Sequence, residues 1–197
     1  GQLGLVIADV SDKGMPAAVF MALTRSTIRA TVSQLASPAE AIAEANRLIC
    51  ADSADGMFVT LFYARLEPAS GVLTYVNAGH NPPLLCRAGD RGSAEVLEEL
   101  RPTGMALGIV DEFPFEQRTL ELQPGDSILL YTDGVPDASN EGQEQFGMER
   151  LRRVILERQM APVAAMVSAL EHAIAELTGG ATQFDDIAIL AMKRLGT

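Results

Sequence analysis

Hydrophobic periodicity along this chain changes in the order strand, two helices, a block of strands, two helices, strand. That order argues against a parallel doubly wound sheet, in which strands and helices alternate. Gly4 to Asp9 (GLVIAD) is a short apolar run ended by an acid and by the breaker-rich SDKGMP, which reads as a buried strand entering a loop. Pro16 suits a helix's first turn, and the following AAVFMALTRSTIRATV sets Val19, Phe20, Leu23, Thr27 and Ala30 on one face. Ser37-Pro38-Ala39-Glu40 is a capping box that opens a second helix, with Ile42, Ala45, Leu48 and Ile49 inward and an end near Asp52.

The period then shifts from helical to alternating. Met57 to Glu67 and Val72 to Asn77 read as an antiparallel hairpin closed by Pro68-Ala69-Ser70-Gly71. Pro83 to Arg87, Glu95 to Leu100, Phe115 to Leu122 and Ser127 to Thr132 are further strands separated by AGDRGS, RPTG and QPGD. Helical spacing returns over Phe146 to Gln159 and over Val163 to Leu177, the latter stopped by Gly179-Gly180, and Asp186 to Met192 is a last strand. The longest loops, Arg101 to Leu107 and Asp133 to Gln145, carry no linker composition. The expectation is one antiparallel α+β domain over residues 1–197.

Composition narrows the partners. With 26 acidic against 15 basic residues the formal charge is −11, which repels nucleic acid and anionic membrane alike. No apolar run approaches the roughly 20 residues that cross a bilayer, and GQLGLVIADV has no signal-peptide start. Cys50 and Cys86 lack metal-ligand spacing and read as buried thiols. A soluble cytoplasmic protein is expected.

Acids recur in one setting. Asp9 follows GLVIA, Asp133 follows SILLYT, and Asp185-Asp186 precedes IAILAM, so each carboxylate leaves the end of a β-rich run. Carboxylates converging at a sheet's mouth repel unless a cation lies between them, and hard oxygens without His or Cys favour Mg²⁺ or Mn²⁺. The alternative is that each Asp is a turn former. No Walker loop, GxGxxG or GxSxG elbow occurs. His80, in NAGHNPP, is the one histidine in a suggestive place, and its role is open between structural hydrogen bonding and chemistry.

Six segments in order, VIADVSDKGMPAAVFMA, MFVTLFYARLE, NAGHNPPLL, PTGMALGI, LYTDGVPDASN and QFDDIAIL, resemble the motif series of the bacterial metal-dependent protein serine/threonine phosphatases of the stage II sporulation protein E type, in the PPM superfamily. The resemblance spans nearly the whole chain. It implies a four-layer α-β-β-α sandwich of two antiparallel sheets flanked by helices, with two Mn²⁺ or Mg²⁺ ions. It makes Asp9 the acid that bridges both ions, the Val10 carbonyl an adjacent ligand, Asp133 and Asp185 further ligands, and Asp186 a neighbouring or alternate one. The ions would activate water for in-line attack, so no protein nucleophile is needed. The implied substrate is phosphoserine or phosphothreonine on a protein, usually an anti-sigma-factor antagonist of a partner-switching pathway, and the implied parent is a longer sensor protein with its regulatory part upstream. Lys13 and His80 are candidates for substrate contact, Lys13 equally being a solvated loop residue.

Three departures stand out. Asp12 replaces the glycine that often follows the first-motif serine, and Ala188 replaces the threonine of the last motif. The sequence also starts without the family's upstream strand bearing a GGD-type acid. The expectation is therefore a metal site short of one ligand, weak activity in this chain, and an unpaired edge at Gly4 to Asp9. A non-catalytic binding module on the same fold is the competing reading.

Overall fold

In the computed structural model, residues 1–52, 56–88, 97–183 and 185–196 are described, the backbone alone at Asp52. The chain divides into two compact units, Gly1–His80 with Arg101–Glu121 and Asn81–Leu100 with Leu122–Thr197.

The first unit is built on β1 (Leu3–Val10), α1 (Met15–Gln34), α2 (Pro38–Asp52), β2 (Val59–Glu67), β3 (Val72–Ala78) and β6 (Arg118–Glu121). Its sheet runs β1-β2-β3-β6, antiparallel throughout. The expected hairpin is β2–β3, with Phe62 opposite Asn77 and Glu67 opposite Val72. Gly71, at a φ of 81°, closes its turn, and its N–H donates to the Glu67 carbonyl at 2.8 Å. A side chain at that φ would be strained.

The face of α1 differs from the expectation. Ala17, Phe20, Thr24, Ile28 and Thr31 are buried, whereas Val19 is 63% exposed. Two rows run through Phe20, one at i+3 and one at i+4. Both carry apolar residues, and packing chose the row that contains Ile28. Helix α2 buries Ile42, Ala45 and Ile49 as expected and Ala41 besides, with Leu48 only half-buried. Its cap is half the expected box: the Glu40 N–H donates to Ser37 Oγ at 3.3 Å, and Gln117 Oε1 takes the Ala39 N–H at 3.2 Å. Phe20, Ile28, Ile42 and Ile49 meet Val59, Leu61, Tyr63 and Val76 of the sheet in one apolar core.

The second unit comprises β4 (Leu84–Cys86), β5 (Leu97–Glu99), β7 (Ser127–Tyr131), α3 (Gly134–Asp137), α4 (Gly147–Glu157), α5 (Val163–Thr178) and β8 (Ile189–Lys193). Its sheet runs β5-β4-β7-β8, again antiparallel. The strand expected from Glu95 is described only from Leu97, the residues before it lying outside the described part. Leu84, Leu129 and Tyr131 pack with Leu151, Ile155, Met166 and Leu170 of α4 and α5. Helix α5 stops at Gly179, which is left-handed at φ 59° and donates its N–H to the Ala175 carbonyl at 3.0 Å. The short α3 falls where the sequence reads as loop.

The α+β class is the expected one, with two antiparallel four-stranded sheets and five helices among the described residues. No helix of those residues is long and apolar enough to cross a membrane. Cys50 and Cys86 are free thiols, and burial pushes both upward in pKa.

Candidate functional site

Four of the residues singled out from sequence belong to the first unit. Asp9 is the penultimate residue of β1, opposite Thr60 of β2, and Val10 faces Val59. The strand exits into a loop held by Ser11: its N–H donates to the Phe58 carbonyl at 3.0 Å, and its Oγ accepts the Phe58 N–H at 3.1 Å. Lys13 is exposed on that loop, and its backbone N–H donates to the Asp12 carboxylate at 2.7 Å.

His80 is 1% exposed. Its Nδ1 lies 2.8 Å from Thr60 Oγ1, and its N–H donates to Asn77 Oδ1 at 2.8 Å. Thr60 also faces Asp9 in the register, so His80 braces the strand position opposite the first acid. The turn before it needs glycine. Gly79 has a φ of 69°, and a Cβ there would sit 2.8 Å from the Ala106 backbone nitrogen. Asn77 ties the same turn to the PTGM loop, its carbonyl accepting the N–H groups of Thr103 at 2.8 Å and Gly104 at 3.1 Å. Leu107 then pairs with Val59 at the start of β2.

The second unit holds Asp133, Asp185 and Asp186. Asp133 follows β7 and precedes α3, with no side-chain hydrogen bond to the helix it caps. Its Oδ1 is buried and has no hydrogen-bond partner. Burial first, then the Asp185 and Asp137 carboxylates, push the Asp133 carboxyl above its ordinary pKa. Asp185 is exposed and its Oδ1 accepts the Asp186 N–H at 3.0 Å.

Thr132 stitches the two acidic segments together. Its hydroxyl donates to the Asp186 carbonyl at 2.8 Å and accepts the Ala188 N–H at 2.9 Å, while its own N–H donates to the Ala188 carbonyl at 3.1 Å. Position 188 is thus engaged through its backbone. Sequence reasoning passed over Thr132, although a hydroxyl residue directly before the TDG aspartate was a usable signal, since such side chains cross-link backbone at strand ends.

Gly134 sits equally close: a Cβ there would lie 2.5 Å from the Asp186 carbonyl oxygen and 3.0 Å from its carbon. Gly134→Ala is expected to destabilise the fold by about 1–3 kcal/mol and to displace the Asp185–Asp186 segment. Urea unfolding measures the first effect and Mn²⁺ titration calorimetry the second. An alanine variant that matches the parent in both would contradict the packing described.

Among the described residues, no group of three or more His, Cys, Asp or Glu side chains is gathered to hold a metal. Like-charged carboxylates resist such gathering by themselves. The residues of the second unit nonetheless suit a hard cation. A buried, unpartnered carboxylate oxygen on Asp133 beside the Asp185 charge is costly alone, and a divalent ion would satisfy it.

The model of the Stage II sporulation protein E (SpoIIE) family matches residues 1–195. This chain belongs to the SpoIIE family. It is 32% identical over 222 residues to Protein IcfG of Synechocystis sp. (strain ATCC 27184 / PCC 6803 / Kazusa), covering 98% of this chain and 34% of that protein. It is 27% identical to phosphoserine phosphatase RsbU of Bacillus subtilis (strain 168), covering 98% of this chain and 56% of RsbU. The chain therefore spans about a third to about half the length of these relatives. Among solved structures, the SiaA-PP2C domain of Pseudomonas aeruginosa superposes with a TM-score of 0.80 at 20% identity, covering 98% of this chain and 80% of that one. At that identity the likeness establishes the fold, that of the PP2C phosphatases. The SpoIIE motifs fall on the elements just described: the first acid on β1, the TDG acid between β7 and α3, and the DD pair ahead of β8.

Proposed function

We propose that this SpoIIE-family domain is a protein serine/threonine phosphatase that hydrolyses phosphoserine or phosphothreonine on a protein, with Mn²⁺ or Mg²⁺ as cofactor. The observation that carries the reading is the buried, unpartnered Oδ1 of Asp133 next to the Asp185 carboxylate. Backbone N–H groups of Gly134 and Asp133 reach the carboxyl but leave Oδ1 unpartnered, and that oxygen's chemistry matches a hard divalent ion. The name of the RsbU relative supports the same activity.

In this proposal Asp9, Asp133 and Asp185 are the carboxylate ligands, Val10 contributes its carbonyl and Asp186 stands beside Asp185. When bound, the cations supply Lewis acidity that activates a water and offsets phosphoryl charge. The chain's own part is positioning. Thr132 sets the spacing between the segments of Asp133 and Asp185, and Gly134 lets them approach. Thr60 and His80 brace β1 opposite Asp9. Lys13, exposed after β1, offers a cation to an incoming phosphate that the net charge of −11 would otherwise repel.

The substrate we propose is an anti-sigma-factor antagonist of a partner-switching pathway, dephosphorylated in the cytoplasm by the output domain of a longer sensor protein. The greater length of the relatives supports that arrangement. The test is a phosphoserine-protein dephosphorylation assay with graded Mn²⁺ or Mg²⁺. Turnover is expected to require the metal, to vanish in EDTA and to return when Mn²⁺ is restored in excess. Turnover that persists unchanged in EDTA would refute the metal-dependent mechanism, and no turnover at any metal concentration would favour a binding module.

A further inference from the structure

His80 is a buried polar ring, 1% exposed, and so has no surface to offer a substrate. Whatever it contributes to the site passes through a neighbour. A buried polar group is tolerated where its hydrogen bonds are made, and those of His80 run in two directions. Through the main chain, its N–H donates to Asn77 Oδ1 at 2.8 Å, while the Asn77 N–H donates to Thr103 Oγ1 at 3.0 Å. Isolated bridges from Ala78 to Gly104 and from Gly79 to Leu61 fix the same turn against the PTGM loop and against β2. The histidine is therefore held from behind, and its ring is the part left to act.

The ring acts on Thr60. His80 Nδ1 lies 2.8 Å from Thr60 Oγ1, a contact that holds in either tautomer, with the hydroxyl donating to Nδ1 or accepting from its N–H. Thr60 Oγ1 also lies 3.5 Å from the Asp9 carbonyl oxygen. Thr60 and Asp9 are opposed in the antiparallel register of β1 and β2. Opposed side chains project to one face, with Cβ atoms about 4.5–5.5 Å apart, so the Thr60 side chain stands beside that of Asp9. A threonine is stiff at χ1, and the bond to the anchored ring selects one of its rotamers. The Asp9 carboxylate thus leaves the strand against a fixed neighbour.

We propose that His80 is a positioning residue for Asp9, acting through the Thr60 hydroxyl and so on the affinity of the site for its cation; this rests on the reading of Asp9 as a metal ligand. Groups that orient a ligand without touching the ion are worth about 10–100-fold in affinity. The three residues form one chain, so the loss of either link, the ring nitrogen or the hydroxyl, should have the same effect.

Mn²⁺ titration calorimetry on the intact chain, with melting temperature measured alongside, tests this. Thr60→Val keeps the shape and removes the hydroxyl, and His80→Phe keeps the ring and removes its nitrogens. Each is expected to weaken Mn²⁺ binding by about 10–100-fold. The double variant is expected to be no weaker than the worse of the two, since both break the same chain. His80→Asn, whose amide offers a polar atom near the position of Nδ1, is expected to lie closer to the parent than to His80→Phe. A merely structural histidine would lower the melting temperature and leave the Mn²⁺ affinity of the folded chain unchanged; that result, or losses that add in the double variant, would overturn the proposal. Thr60→Val keeps the test decisive if the histidine variants fail to fold, because a folded Thr60→Val chain that binds Mn²⁺ as the parent does would also overturn it. A parent that binds no Mn²⁺ would instead bring down the metal reading itself, and this proposal with it.

Discussion

Asp133→Asn is expected to lower metal-dependent phosphatase turnover by at least about 100-fold, because groups that merely orient metal ligands are worth about 10–100-fold and Asp133 is proposed as a ligand itself. The amide keeps the shape of the side chain but loses the anionic oxygen that is buried without a partner. Stability should move the other way. Without metal, the variant removes a half-buried charge that the Asp185 and Asp137 carboxylates disfavour, so its melting temperature should equal or exceed the parent's. With Mn²⁺, the parent should gain melting temperature in proportion to its affinity for the ion, and the variant should gain much less. This crossed pattern separates a ligand from a structural residue, since a structural residue would lose stability in both conditions. Turnover within a few-fold of the parent would sink the assignment. Asp9→Asn is the companion measurement from the first unit.

Asp126→Ala is expected to be strongly destabilising, although the residue lies outside the candidate site. Asp126 is 1% exposed, and its carboxylate accepts the Ala88 N–H at 2.7 Å, the Gln123 N–H at 2.8 Å and Arg87 Nη1 at 3.0 Å. These bonds join the end of β4 to the turn before β7. Truncation removes the acceptor of two backbone N–H groups and one of the carboxylates that pair with Arg87, the Glu98 carboxylate remaining. Breaking one side of a buried pair costs about 3–5 kcal/mol, a large part of the roughly 5–15 kcal/mol that holds a domain together. Arg87, at 27% side-chain exposure, reaches solvent and will recover some of its hydration, so the lower end of that range is expected. Urea unfolding reads the loss directly. A change under about 1 kcal/mol would mean that the turn re-forms its bonds without the carboxylate.

Much of the fold was legible because the relevant signals are local. The alternation of Val59 to Glu67 and Val72 to Ala78, with Gly71 between, encodes a hairpin whatever surrounds it. Ser37, Pro38 and Glu40 mark the start of α2, and Gly179 the end of α5, through backbone chemistry confined to a few residues. Where two local solutions were equally good, the sequence pointed to the wrong one. The rows through Leu23 and through Thr24 of α1 are both compatible with a helix, and only the neighbouring sheet distinguishes them. The four residues of α3 are too few for periodicity to register.

The candidate site divides in the same way. Its acids were legible as a repeated pattern, an aspartate at the end of an apolar run, and their order along the chain matched the SpoIIE series. The supporting residues were not. Thr132 bonds to residues 54 and 56 positions away, and Asn77 to a loop 26 positions away. His80, open between two roles in the sequence, is buried and bonded to Thr60, a contact set by strand pairing.

By itself, then, the amino-acid sequence determined the order of the strands and long helices and the antiparallel α+β class, and nominated the candidate acids, because patterning, turn chemistry and residue type act over a few neighbouring positions. Only the tertiary structure decided that the Asp133 Oδ1 is buried without a partner and that Thr132 and Gly134 hold the two acidic segments together. Each of those depends on residues far apart in the chain coming within a few ångströms, and burial, pairing and steric fit are properties of that closeness.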